Sequence, residues 1–120
     1  MPDELLWYDG SGLSRYNMFT PRSLVTLLDG MLNEYGEQRL FDIFPAGGKS
    51  GTIERFYGDI KPYVFAKTGT LRNNHCLSGY IKTDSGQTLI FSFMNNHYKD
   101  HSNEVKKEME KVLRYIKERF

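Results

Sequence analysis

The stretch Tyr63-Val64-Phe65-Ala66-Lys67-Thr68-Gly69-Thr70-Leu71 constrains this chain more than any other. Aromatic and β-branched residues just behind Pro62 predict a strand. Alternation along it puts Phe65, Lys67 and Gly69 on one face and Ala66, Thr68 and Thr70 on the other. A plain core strand would carry Val or Ile where this one carries a Lys, a Gly and two Thr. Glycine inside a strand weakens it and often marks close approach by a ligand or another backbone. A lysine beside such a gap, flanked by hydroxyls, has the chemistry to hold an anion. The plainer reading is an edge strand whose lysine discourages aggregation.

Hydrophobic spacing orders the rest. Thr20 as N-cap and Pro21 at the first helical position open a helix. Leu24, Leu27, Leu28, Met31, Leu32 and Tyr35 follow at helical spacing, and Gly36 stops it. Glu37 to Phe44 predicts a second short helix, ended by Pro45. Residues 46–61 read as loop. After the opening strand, Arg72-Asn73-Asn74-His75 reads as a turn, and a second strand is expected from Cys76 to Thr83. Asp84-Ser85-Gly86 makes a tight hairpin turn. The third strand, Thr88 to Met94, is a nearly continuous apolar run, which predicts burial on both faces. A last helix from Ser102 to Arg119 carries the stripe Val105, Met109, Val112, Leu113, Ile116 and Phe120. Such short connections make the three strands an antiparallel meander. The fold class is α+β, a three-stranded antiparallel meander with flanking helices in a single domain over residues 1–120.

Composition excludes several functions. A net charge of +1 supplies no bulk field for nucleic acid or an anionic membrane. No apolar run reaches the length of a transmembrane helix, and the acidic start Met1-Pro2-Asp3-Glu4 is not a signal peptide. The one cysteine, Cys76, excludes an internal disulfide and reads as a small buried hydrophobe. His75, His97 and His101 fall in predicted loops without ligand spacing, so neither a metal nor a cofactor is expected. Residues 1–20 look irregular, with Leu5-Leu6-Trp7-Tyr8 running straight into the turn Asp9-Gly10-Ser11-Gly12. That pattern is expected of a piece of a longer chain.

Three motifs, in this order, carry a family resemblance: Asp9-Gly10-Ser11-Gly12-Leu13-Ser14-Arg15-x-Asn17, then Lys67-Thr68-Gly69-Thr70-Leu71, then Leu77-Ser78-Gly79-Tyr80. Together they resemble the DacB-like serine D-Ala-D-Ala carboxypeptidases. These are the low-molecular-mass class C penicillin-binding proteins, which cut D-Ala-D-Ala bonds in bacterial peptidoglycan. The resemblance runs from about Asp9 onward and corresponds to the C-terminal part of that family's penicillin-binding domain. It implies a fragment of the penicillin-binding/β-lactamase-like transpeptidase fold, a larger antiparallel sheet with helices on both faces. The family acts through Ser-x-x-Lys, Ser-x-Asn and Lys-Thr-Gly motifs. In this chain no serine has a lysine three positions later, and no Ser-x-Asn occurs. The expectation is a fragment that supplies the Lys-Thr-Gly strand but no nucleophile and is inactive alone. Its implied partners are the missing N-terminal part of its own domain, peptidoglycan stem peptides and β-lactams.

The resemblance also assigns roles. Lys67 is the cation that lines the site and attracts the substrate's terminal carboxylate. Thr68 hydrogen-bonds that carboxylate, and Gly69 leaves room for the substrate to pair along the strand edge. The N–H of Thr70 completes an oxyanion hole. Arg15 grips a carboxylate on the substrate's side chain with its planar fork; the alternative is a solvated loop charge or a tie to backbone carbonyls. One departure stands out. Gly48-Lys49-Ser50-Gly51-Thr52-Ile53 has serine where the family usually has aspartate, and no functional residue is carried over from it. The family implies a periplasmic or extracellular site. A non-catalytic peptide-binding domain, or one that self-associates through exposed sheet edges, stays open as the alternative.

Overall fold

Thr20 caps the first helix, its hydroxyl accepting from the Ser23 N–H at 3.1 Å. In this computed structural model, which describes residues 1–99 and 101–120, helix α1 spans Pro21–Tyr35 and helix α2 spans Glu37–Ile43. Gly36 joins them at φ 82, a conformation that glycine adopts without strain. Strands β1 (Val64–Leu71), β2 (Asn74–Lys82) and β3 (Thr88–Asn96) follow, then helix α3 (Ser102–Arg119). The sheet order is β1-β2-β3, antiparallel throughout, as the short connections require.

The alternation of β1 sorts the core into two layers. Val64 and Ala66 join Leu77 and Ile81 of β2 in packing against Met109 and Leu113 of α3. Phe65 points the other way and stacks on Phe41 of α2, ring centroids 3.9 Å apart. On that face Tyr80 packs with Leu28 and Leu40, and its hydroxyl donates to the Leu28 carbonyl at 2.8 Å. Helices therefore cover both sides of the sheet, α1 and α2 on one and α3 on the other. Each large apolar side chain buried this way contributes roughly 1.5–3 kcal/mol. Lys82 adds an ion pair with Glu37 that ties β2 to α2.

Several expectations need correction. The turn between β1 and β2 is only Arg72-Asn73, with Asn73 at φ 63, so β2 begins at Asn74. His75 is therefore a strand residue and not a loop residue. Strand β3 is not buried on both faces: Thr88 to Asn95 are all half-exposed. Its outer edge pairs with no strand among the described residues, and a groove of about 450 Å³ stays open between Phe93, Asn95 and the Val105, Met109, Val112 side of α3. For the same reason Val112 is exposed, as is Phe120 just past the helix end. Leu27 and Tyr35 of the predicted α1 stripe are exposed as well. Cys76 is half-buried, not buried. Residues 46–61, read as loop, include the 3-10 turn Gly51–Ile53 and give Ile53 and Tyr57 to the core.

Candidate functional site

The outer edge of β1 is closed along its first half and open along its second. The Ala66 N–H donates to the Pro45 carbonyl at 3.0 Å, and the Val64 carbonyl accepts from the Gly47 N–H at 2.8 Å. Even-numbered residues of β1 thus turn their backbone groups away from β2. The period of two carries the same direction to Thr68 and Thr70. Among the described residues no backbone group pairs with the Thr68 or Thr70 N–H from that side. An edge of this kind is a template for an added strand.

Lys67 is exposed and its ammonium donates to the Thr68 carbonyl at 2.7 Å, so a positive charge lies on this open edge. Thr68 turns its side chain to the α3 face, where its hydroxyl pairs with that of Thr52 at 2.6 Å. A hydroxyl that accepts there still has a proton to give elsewhere. At Gly69 a β-carbon would meet nothing within 4 Å, so no neighbour among the described residues demands glycine and the space on that face of the strand is clear. Thr70 pairs its hydroxyl with Nδ1 of His75 at 2.8 Å. The imidazole is buried, and that burial, with the nearby Lys106 charge second, holds its proton affinity below the ordinary histidine value.

Arg15 stands at the end of the edge. Its guanidinium reaches the Arg72 carbonyl at 3.4 Å, two residues past Thr70. The loop that carries it is built by Asp9 and Asn17. The Asp9 carboxylate accepts from the Gly12 N–H at 2.9 Å and the Ser14 N–H at 3.1 Å, and the Asn17 side chain accepts from the Tyr8 N–H at 2.7 Å. The conspicuous acid and amide of this motif are thus scaffold, and they present Leu13, Arg15 and Tyr16 outward.

Lys67, Thr68, Gly69 and Thr70 come together along one edge, with Arg15 beside its end. Two residues behind that edge escaped the sequence reading. Thr52 lies in the motif set aside because serine replaces aspartate. That serine, Ser50, still closes the loop by accepting from the Ala46 N–H at 2.9 Å. His75 reads as a turn residue in the sequence, whereas a two-residue hairpin sets it opposite Thr70.

The fold, a sheet covered by helices on both faces, matches that of a penicillin-binding protein of known structure. The crystal structure of penicillin-binding protein 4 (dacB) from Haemophilus influenzae, complexed with a β-lactam, aligns with a TM-score of 0.81 at 26% identity. It covers 97% of this chain and 29% of that one. Residues 3–118 match the D-Ala-D-Ala carboxypeptidase 3 (S13) family, and the chain belongs to that family. The D-alanyl-D-alanine carboxypeptidase DacB of Haemophilus influenzae is 34% identical over 94 residues, which are 75% of this chain and 20% of that protein. A D-alanyl-D-alanine carboxypeptidase from an Actinomadura species is 37% identical over 99 residues, 77% of this chain and 18% of that protein. The chain thus spans about a fifth of the length of these curated relatives. No helix among the described residues is long and apolar enough to cross a membrane.

Proposed function

We propose that this chain is the C-terminal part of the penicillin-binding domain of a serine-type D-Ala-D-Ala carboxypeptidase/endopeptidase, and that it forms the recognition wall of its site. The observation that carries this reading is the open edge at Thr68 and Thr70 beside the Lys67 ammonium. A stem peptide lying along that edge pairs with the Thr68 and Thr70 backbone as an added strand. Lys67 attracts its terminal carboxylate, the Thr68 hydroxyl donates to it, and Gly69 leaves the substrate backbone room. The outward N–H of Thr70 faces the carbonyl under attack and stabilises the oxyanion. One such donor is worth about 2.7–4 kcal/mol of barrier. Arg15 offers a planar fork to a carboxylate further along the peptide.

The attacking serine and its lysine base come from the rest of the domain, since this sequence holds neither Ser-x-x-Lys nor Ser-x-Asn. β-Lactams acylate that serine as mimics of the D-Ala-D-Ala unit. Peptidoglycan as substrate sets the site in the periplasm or outside the cell.

Fluorescent penicillin tests this reading. An antiserum raised against the chain is expected to detect a penicillin-labelled protein in envelope extracts, while the purified chain stays unlabelled. Stoichiometric labelling of the purified chain, or no labelled protein carrying its epitopes, overturns it.

A further inference from the structure

Alternation splits the polar side chains of β1 between the two faces of the sheet. Lys67 leaves on the face of Phe65, α1 and α2, whereas Thr68 and Thr70 turn their hydroxyls to the α3 face. Lys67 therefore comes to the open edge from the opposite side, through its bond to the Thr68 carbonyl. An anion that accepts from the Thr68 hydroxyl lies toward the α3 face, and a different cation is placed there. Lys106 of α3 lines, with Thr52, Phe56, Thr68 and His75, a narrow cleft of about 10 Å³ behind the edge.

Lys106 differs from its neighbours on the helix. Lys111 pairs with Glu108 and Lys117 with Asp59 and Asp84, whereas among the described residues no carboxylate lies within ion-pair distance of Lys106. Glu110, one turn further along, is engaged by the Tyr57 N–H. Lys107 is exposed, while Lys106 is half-buried and its ammonium stands 5.9 Å from the centroid of the Phe56 ring. That contact keeps the charge over the cleft. Its field reaches the site: it adds to burial in lowering the proton affinity of His75, whose ring holds the Thr70 hydroxyl.

We propose that Lys106 is a specificity-determining cation for the substrate's terminal carboxylate, acting from the α3 face while Lys67 acts from the other. The inference rests on the reading of this edge as the site for a D-Ala-D-Ala peptide. A carboxylate at the Thr68 hydroxyl then has one lysine on each side of the strand, and a neutral C-terminus leaves Lys106 without a counter-charge. The cleft is about the size of one water, so the carboxylate stays at its mouth and the ammonium acts across it. A partly buried charge is screened less than an exposed one, which gives this action weight.

Binding of an acetylated D-Ala-D-Ala peptide and of its C-terminal amide, followed by backbone amide shifts of the ¹⁵N-labelled full chain, tests the proposal. Wild type is expected to prefer the acid. Lys106→Met keeps the stem against Phe56; it is expected to weaken the acid at least about threefold, the order of an attraction between incompletely buried charges, and to leave the amide unchanged. Lys106→Arg is expected to keep the preference, and Lys107→Met to change neither ligand. Acid and amide weakened alike in Lys106→Met would mean lost packing and overturns the proposal. So does an unchanged acid, or an equal loss in Lys107→Met. Peptide binding with the preference intact in Lys106→Met leaves the substrate reading and sinks this inference. Sodium acetate, which carries the carboxylate alone, covers the converse case. If neither peptide binds, the substrate reading fails; acetate shifts at Thr68 that vanish in Lys106→Met then still support Lys106 as the anion's cation, and acetate shifts equal in both proteins overturn that as well.

Discussion

Gly79 faces Ala66 across the first two strands so closely that a β-carbon on it would lie 2.6 Å from the Ala66 α-carbon. The intruding carbon would also meet the Phe65 carbonyl, so backbone and not a yielding side chain stands in the way. Gly79→Ala is expected to destabilise the chain by about 2 kcal/mol or more, within the usual cost of overpacking and backbone displacement. The shift of the urea midpoint measures it. Gly69→Ala, with open space around it, is expected to stay within about 0.5 kcal/mol of wild type. Equal costs at the two glycines would contradict this assignment of which one the fold requires.

Much of this was legible in the residues. Pro21 behind Thr20, the glycine at 36 and the apolar spacing located the helices, and the short connections gave the meander. Lys67 in a strand of otherwise apolar and β-branched character singled out the stretch that forms the candidate site. What escaped was set by pairing between strands. Whether an apolar strand is interior or edge depends on neighbours that its own sequence does not name, hence the misplaced burial of β3. Whether Asn-Asn-His is a turn or the start of a strand depends on register, hence the missed bond between Thr70 and His75. Of the two strand glycines, the sequence suggests close approach at Gly69, whereas the close backbone approach is at Gly79.

The buried imidazole gives a pH dependence with a definite sign. Burial, then the Lys106 charge, lowers the folded-state value of His75 below the ordinary value of about 6.5. Between the two values the unfolded chain binds more protons than the folded one, so unfolding free energy rises with pH there. The contribution is complete above about pH 6.5 and is lost as pH falls through the folded value. The Glu37 carboxylate, lowered chiefly by its bond from Lys82, starts to lose its contribution only below about pH 4.3. Urea midpoints from pH 8 to 4 are expected to start declining near pH 6.5, and His75→Asn to remove that upper limb alone. A flat profile down to the carboxylate range would contradict the assignment.

The loop bearing Arg15 depends on one carboxylate. Asp9 accepts from the backbone N–H groups of Gly12 and Ser14 and from the side chains of Ser11 and Asn17. Burial works against its ionised form, and these hydrogen bonds outweigh it, so its proton affinity is lowered. Asp9→Ala is expected to free the turn and speed tryptic cleavage after Arg15 by at least about tenfold, in line with local opening of a weakly packed loop. The midpoint of global unfolding is expected to move little. Unchanged cleavage would mean that the loop is held by other contacts.

On the proposed function, the Thr68 and Thr70 edge beside Lys67 recognises a peptide ending in D-Ala-D-Ala. Backbone amide shifts of the ¹⁵N-labelled chain, followed during titration with such a peptide, test it most directly. The amides of Thr68 and Thr70 are expected to move together and saturably. Lys67→Ala is expected to weaken binding by at least about tenfold, since a charge-assisted hydrogen bond is worth about 1.5–3 kcal/mol. Added salt is expected to weaken the wild type, because the ammonium is exposed. Shifts confined to the β3 edge, or equal affinity in Lys67→Ala, would contradict the account.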